Sequence, residues 1–100
     1  MKYDIQTVGF EADQELYNFL DEQLDELKKY FDNITGIDVY LKSVKDDEDE
    51  TKIAEIKLFV PGPSLYAEHR AETMRESIIE VVDKLRRQLE KLKEKQYSKR

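Results

Sequence analysis

Lys84, Arg87, Lys91 and Lys95 recur at spacings of three and four near the end of a chain of 100 residues. Lysine and arginine repeated in this way suit one kind of chemistry: they hold phosphate oxygens by charge and by charge-assisted hydrogen bonds. The four stand in a segment, residues 84–100, that carries eight Lys/Arg against two Glu, whereas the preceding 83 residues carry nine against 21 Asp/Glu. The net charge of −6 thus divides into +6 at the end and −12 in the body. A negative chain would argue against a polyanionic partner, but binding responds to the local field, and this field changes sign along the chain.

On a helix the four cations fall within an arc of about 80°. The apolar Ile78, Val81, Leu85, Leu89 and Leu92 centre about 100° from Lys84, so the cation stripe borders the buried face and is expected to flank the groove between helices. From Lys84 to Lys95 it is about 16 Å long, enough for several phosphates of a folded RNA strand. A solvated helix end explains part of this pattern. Glu80 with Lys84 and Asp83 with Arg87 are favourable i,i+4 pairs, and cations near a helix C-terminus suit its dipole. Lys91 and Lys95 differ, because Arg87, Lys91, Lys95 and Lys99 stack like charges one turn apart, which costs helix stability. On charge alone a solvated helix end and a polyanion site both stay open.

Other chemistry has few candidates. The chain has no Cys and one histidine, His69, with no nucleophile or carboxylate arrangement to be inferred around it. The run Asp46-Asp47-Glu48-Asp49-Glu50 lacks the alternation, central Gly and twelfth-position Glu of a calcium loop, and reads as a solvated turn. No cofactor, metal ion or small-molecule substrate is expected. Tyr40, Phe59 and Tyr66 are expected to share the outer face of a sheet with Lys42 and Lys57, where they could pair across strands, stack bases or make a dimer contact.

The elements that must position these residues follow from periodicity. Residues 1–7 alternate, placing Tyr3, Ile5 and Thr7 on one face of a strand. Asp13 is a helix N-cap, followed by Leu16, Phe19, Leu20, Leu24, Leu27 and Phe31 at helical spacing, with Asp32, Asn33 and Gly36 as the stop. Ile37, Val39 and Leu41 begin a second strand, closed by a solvated loop at residues 45–51. A third carries Ala54, Ile56, Leu58 and Val60 inward, and the turn at Pro61-Gly62-Pro63-Ser64 leads to a fourth at residues 65–70. Thr73 and Glu76 form a capping box before a long helix containing the stripe. The fold class is therefore α+β, β-α-β-β-β-α, a four-stranded mixed sheet with two helices on one face. Residues 1–96 form one domain and residues 97–100 a frayed basic tail. Apolar residues make up 39% and no run approaches a membrane span, so a folded, cytoplasmic domain without membrane contact is expected.

Nearly the whole chain resembles the ribosome hibernation-promoting factors, also called ribosome-associated inhibitor A or ribosomal subunit interface proteins. The likeness is most specific in Asp83-Lys84-Leu85-Arg86-Arg87-Gln88-Leu89-Glu90-Lys91-Leu92-Lys93, with Leu27-Lys28-Lys29-Tyr30, Val60-Pro61-Gly62, Leu65, Ala67, Met74 and Ile78 in support. It implies a domain akin to double-stranded-RNA-binding domains that occupies the mRNA and tRNA channel of the small ribosomal subunit, blocks translation and preserves idle ribosomes under stress or in stationary phase. Carried over, the rRNA-binding positions are Lys84, Arg87, Lys91 and Lys95, with Lys29 on the first helix. Gln23 and Glu26 depart from the pattern, standing where relatives carry basic residues, and Arg75 replaces an aromatic after Met74. The chain resembles a short form, in which a separate ribosome-dimerising partner is one route to ribosome pairing. The rival reading is a small protein-interaction module, a homodimer or a binder of another protein, without RNA binding.

Overall fold

The structure, a computed structural model, describes residues 3–46 and 48–98; Met1, Lys2, Asp47, Lys99 and Arg100, on which parts of the expected first strand, acidic loop and basic tail fall, lie outside the described residues. The elements are β1 (Asp4–Val8), α1 (Gln14–Tyr30), β2 (Gly36–Lys45), β3 (Glu50–Phe59), β4 (Leu65–Ala71) and α2 (Met74–Ser98). They form one four-stranded sheet in the order β1-β2-β3-β4, with β1 parallel to β2 and the other two pairings antiparallel. The mixed α+β architecture expected from periodicity is the one observed.

Alternation along the strands sends Val39, Leu41, Ala54, Ile56, Leu58 and Ala67 to one face, where they meet Leu20, Leu24 and Leu27 of α1 and Ile78, Val81, Leu85 and Leu89 of α2 in a single core. Both helices begin on caps read from sequence. The Asp13 carboxylate accepts from the Leu16 backbone N–H at 2.9 Å. The Thr73 hydroxyl accepts from the Glu76 N–H at 3.2 Å and donates to the Glu76 carboxylate at 3.0 Å. Inside the core face, the fully buried Ser77 donates to the Lys52 carbonyl oxygen at 2.6 Å, which fastens the start of α2 to β3.

Two boundaries differ from expectation. α1 stops at Tyr30, before Asp32, because Phe31 turns to extended backbone and buries its ring in the core, while its N–H still reaches the Leu27 carbonyl at 2.9 Å. Gly36 is then the first residue of β2. The acidic loop is shorter than residues 45–51, since the ladder continues to the pair Lys45 and Glu50. Lys52 supports this extension by donating to Ser43, directly opposite it, at 2.9 Å and by pairing with Glu50, whose carboxyl is held below its ordinary range by that hydrogen bond and charge.

The helices lie side by side and run in the same direction. The Arg75 guanidinium sits 4.8 Å from the Phe19 ring, and eleven residues further along both helices Arg86 sits 5.3 Å from Tyr30. Tyr30 is the last residue of α1, so the final turns of the 25-residue α2 run on beyond it. Between β1 and α1 the chain turns at Gly9, with φ of 82°, where an added Cβ would lie 2.3 Å from the Ser43 carbonyl oxygen. A side chain there meets both an unfavourable dihedral and immovable backbone, so Gly9→Ala is expected to destabilise the fold by about 2 kcal/mol or more in urea melts. A change below about 0.5 kcal/mol would contradict this close approach.

Candidate nucleic-acid interface

The rotational setting of α2 about its own axis decides which cations meet solvent. Its apolar arc faces β3, β4 and α1, and polar side chains at the two borders of that arc hold it there. At one border Lys84 Nζ donates to the Glu68 carbonyl oxygen at 2.8 Å, and Gln88 Nε2, one turn on, donates to the Tyr66 carbonyl oxygen at 2.9 Å. Carbonyls two residues apart point to the same side of a strand, and β4 is an edge strand, so the two bonds run along its margin. Lys84 Nζ also lies 3.3 Å from His69 Nδ1. The lone histidine is thus half-buried on the helix-facing side, in contact with the stripe's first residue.

Beyond Lys84 the stripe is exposed to solvent at Arg87, Lys91 and Lys95, and Arg87 forms an ion pair with Asp83 one turn earlier. At the opposite border of the arc stand Arg86 and Lys93, whose cationic groups lie 5.3 Å and 4.1 Å from the Tyr30 ring centroid of α1. Between the helices on that side runs a groove lined by Gln23, Glu26, Lys29, Ile79, Asp83 and Arg86.

The expectation that the stripe flanks the inter-helix groove is therefore corrected. Lys84 and Gln88 turn the stripe towards the β4 edge, and the groove is flanked by Arg86 and Lys93 with Lys29. Of the five cations singled out from sequence, Lys84, Arg87, Lys91 and Lys95 stay together on one flank of α2, while Lys29 lies on the other. Arg86 and Lys93 escaped notice although the signal was present: both fall about 180–200° from Lys84 on a helical projection, at the far border of the apolar arc.

Tyr40, Phe59 and Tyr66 do share the outer face of the sheet, each opposite something other than a ring: Glu55, Gly36 and Lys57 respectively. Lys42 lies 5.6 Å from the Tyr40 centroid and Lys57 lies 5.1 Å from that of Phe59. Tyr66 is half exposed, and its hydroxyl lies 2.9 Å from Glu55 and 3.1 Å from Glu68, two carboxylates that face each other across the ladder. Desolvation, reinforced by those two hydrogen bonds, pushes the Tyr66 phenol well above its ordinary range. The Tyr66 hydroxyl bridges a like-charge pair across the ladder, and the face mixes these carboxylates with Lys42 and Lys57. Among the described residues no group of three or more His, Asp or Glu is arranged to hold a metal ion.

An α+β domain of this topology is found in solved structures. A ribosomal subunit interface protein from Coxiella burnetii superposes with a TM-score of 0.75 at 22% identity, covering 90% of this chain and 97% of that one. The model of the family described as sigma 54 modulation protein / S30EA ribosomal protein matches residues 3–97, and the chain belongs to that family. A ribosome hibernation promoting factor of Pseudomonas putida is 35% identical over 98 residues, which are 98% of this chain and 92% of that protein. Another, of Klebsiella oxytoca, is 30% identical over 95 residues, 95% of this chain and 96% of that one.

The two kinds of cation separate experimentally. Lys84→Met keeps the aliphatic stem and removes the bond to the strand edge, so it should lower stability by about 1–2 kcal/mol. Lys91→Met, on the solvent side, should stay within about 0.5 kcal/mol. Chemical denaturation of both variants checks this; equal losses would contradict the distinct placement of Lys84.

Proposed function

We propose that this protein is a ribosome hibernation factor that binds the small ribosomal subunit, occupies its mRNA and tRNA channel and so keeps idle ribosomes from initiating translation. The observation that carries the reading is the match to hibernation promoting factors along essentially the full length of the chain, at up to 35% identity. The geometry supports it with a row of cations, Arg87, Lys91 and Lys95, on a helix edge that the fold leaves facing solvent, and with Lys29 on α1. Lys84 completes the row at its inner border while anchoring α2 to β4.

The mechanism is occupancy. These side chains neutralise phosphates of ribosomal RNA and release their condensed counterions, and the acidic remainder of the domain is repelled, so the α2 side of the molecule approaches the RNA. No bond is made or broken, and the site needs no cofactor. A stress-induced role in the cytoplasm accompanies this reading.

Co-sedimentation with purified small subunits tests it. Wild-type protein should bind with log affinity falling against log salt at a slope of about −3 or steeper, as four or more phosphate contacts require. Arg87→Glu with Lys91→Glu should weaken binding about tenfold or more while circular dichroism stays native. Unchanged binding by that double variant, or no binding by the wild type, would overturn the assignment.

A further inference from the structure

The cations of α2 form two rows that face away from each other. One row, Arg87, Lys91 and Lys95, lies on the β4 side. The other, Arg86 and Lys93 joined by Lys29 from α1, lies along the inter-helix groove. On a helix of 100° per residue their centres are about 150° apart. The crest between them is acidic: Glu90 and Glu94 project within about 40° of each other along it, and Asp83, paired with Arg87, continues it about two turns earlier at the margin of the groove. Side-chain contacts fix this arrangement, since Lys84 and Gln88 hold one flank to β4 and Tyr30 holds Arg86 and Lys93 on the other.

We infer that α2 wedges between two separate RNA backbone segments, one held by each row of cations. A single phosphate ribbon touching both rows would have to pass over the crest and set its charges against those carboxylates, which is repulsive at contact range. Two segments, one on each flank of a rod about 10–12 Å across, meet cations on both sides and leave the crest pointing into the gap between them. The last turns of α2 extend past the end of α1, which gives both flanks room for such contact. This binding mode rests on the ribosome-binding reading and adds to it a requirement for two RNA segments that a lone strand or an isolated hairpin does not meet.

The absence of cysteine makes the test direct. Lys91→Cys and Lys93→Cys, about 3 Å apart along the axis yet on opposite flanks, each carry a tethered iron–EDTA group that releases hydroxyl radicals, and cleavage of the RNA is mapped on small subunits bound to the full chain. The wedge requires two non-overlapping sets of cleaved nucleotides; one shared set overturns it. As a second measurement, Arg86→Glu with Lys93→Glu should make the salt slope shallower by about 1.4, the value for two lost phosphate contacts, with circular dichroism unchanged. A wild-type slope in that variant also overturns the wedge while leaving ribosome binding intact. Failure of the unmodified protein to bind small subunits would instead remove the ribosome-binding reading, and the wedge with it.

Discussion

Everything this protein presents to a partner depends on how α2 is rotated against the sheet. An apolar arc alone would hold the helix down but would leave it some freedom to roll, because hydrophobic burial is not directional. Hydrogen bonds from Lys84 and Gln88 to the edge carbonyls of Glu68 and Tyr66 are directional, as is the Ser77 bond to the Lys52 carbonyl near the helix start. Together they set the angle at which Arg87 and Lys91 face solvent on one side and Arg86 and Lys93 meet Tyr30 on the other. The same bonds occupy acceptors on the margin of β4 that would otherwise be open to strand addition.

That setting gives the split charge a physical use. The whole chain is negative, yet Arg87, Lys91 and Lys95 line one flank of α2 and Arg86 and Lys93 the other, while the outer face of the sheet mixes Lys42 and Lys57 with Asp38, Glu55 and Glu68 and α1 is largely acidic. A polyanion then meets attraction along narrow strips and repulsion elsewhere, which narrows the orientations in which the domain can dock. Gln23 and Glu26 beside Lys29 belong to the same pattern: the groove flank is less basic than the family resemblance implies, and Arg86 and Lys93 supply the charge there from α2.

Much of the fold was legible because its signals are local and periodic. Asp13, Thr73 and Glu76 cap helices as their types suggest, and the alternation of Val39, Leu41, Ala54, Ile56 and Leu58 assigns the core face directly. The boundaries that slipped did so for tertiary reasons: Phe31 leaves the helix for the core, and the Lys52 contacts to Ser43 and Glu50 prolong a hairpin through residues whose charge suggested a loop. At the site, helical spacing was enough to group Lys84, Arg87, Lys91 and Lys95. It could not say which border of the apolar arc would meet β4 and which would meet α1, since that depends on packing between elements far apart in sequence. For the same reason the anchoring role of Lys84 and the contact of Arg86 and Lys93 with Tyr30 had no sequence signature of their own.

The central claim is that the flanks of α2, with Lys29 of α1 beside one of them, carry contact with the small ribosomal subunit, and that the outer face of the sheet does not. A cryo-EM map of the protein bound to vacant small subunits measures this most directly. The expected map places α2 within the mRNA and tRNA channel, with Arg87 and Lys91 against RNA backbone and the outer face of the sheet, bearing Tyr40 and Tyr66, turned away from it. A map in which that outer face contacts the RNA while α2 points to solvent, or in which the domain sits outside the channel, would contradict it.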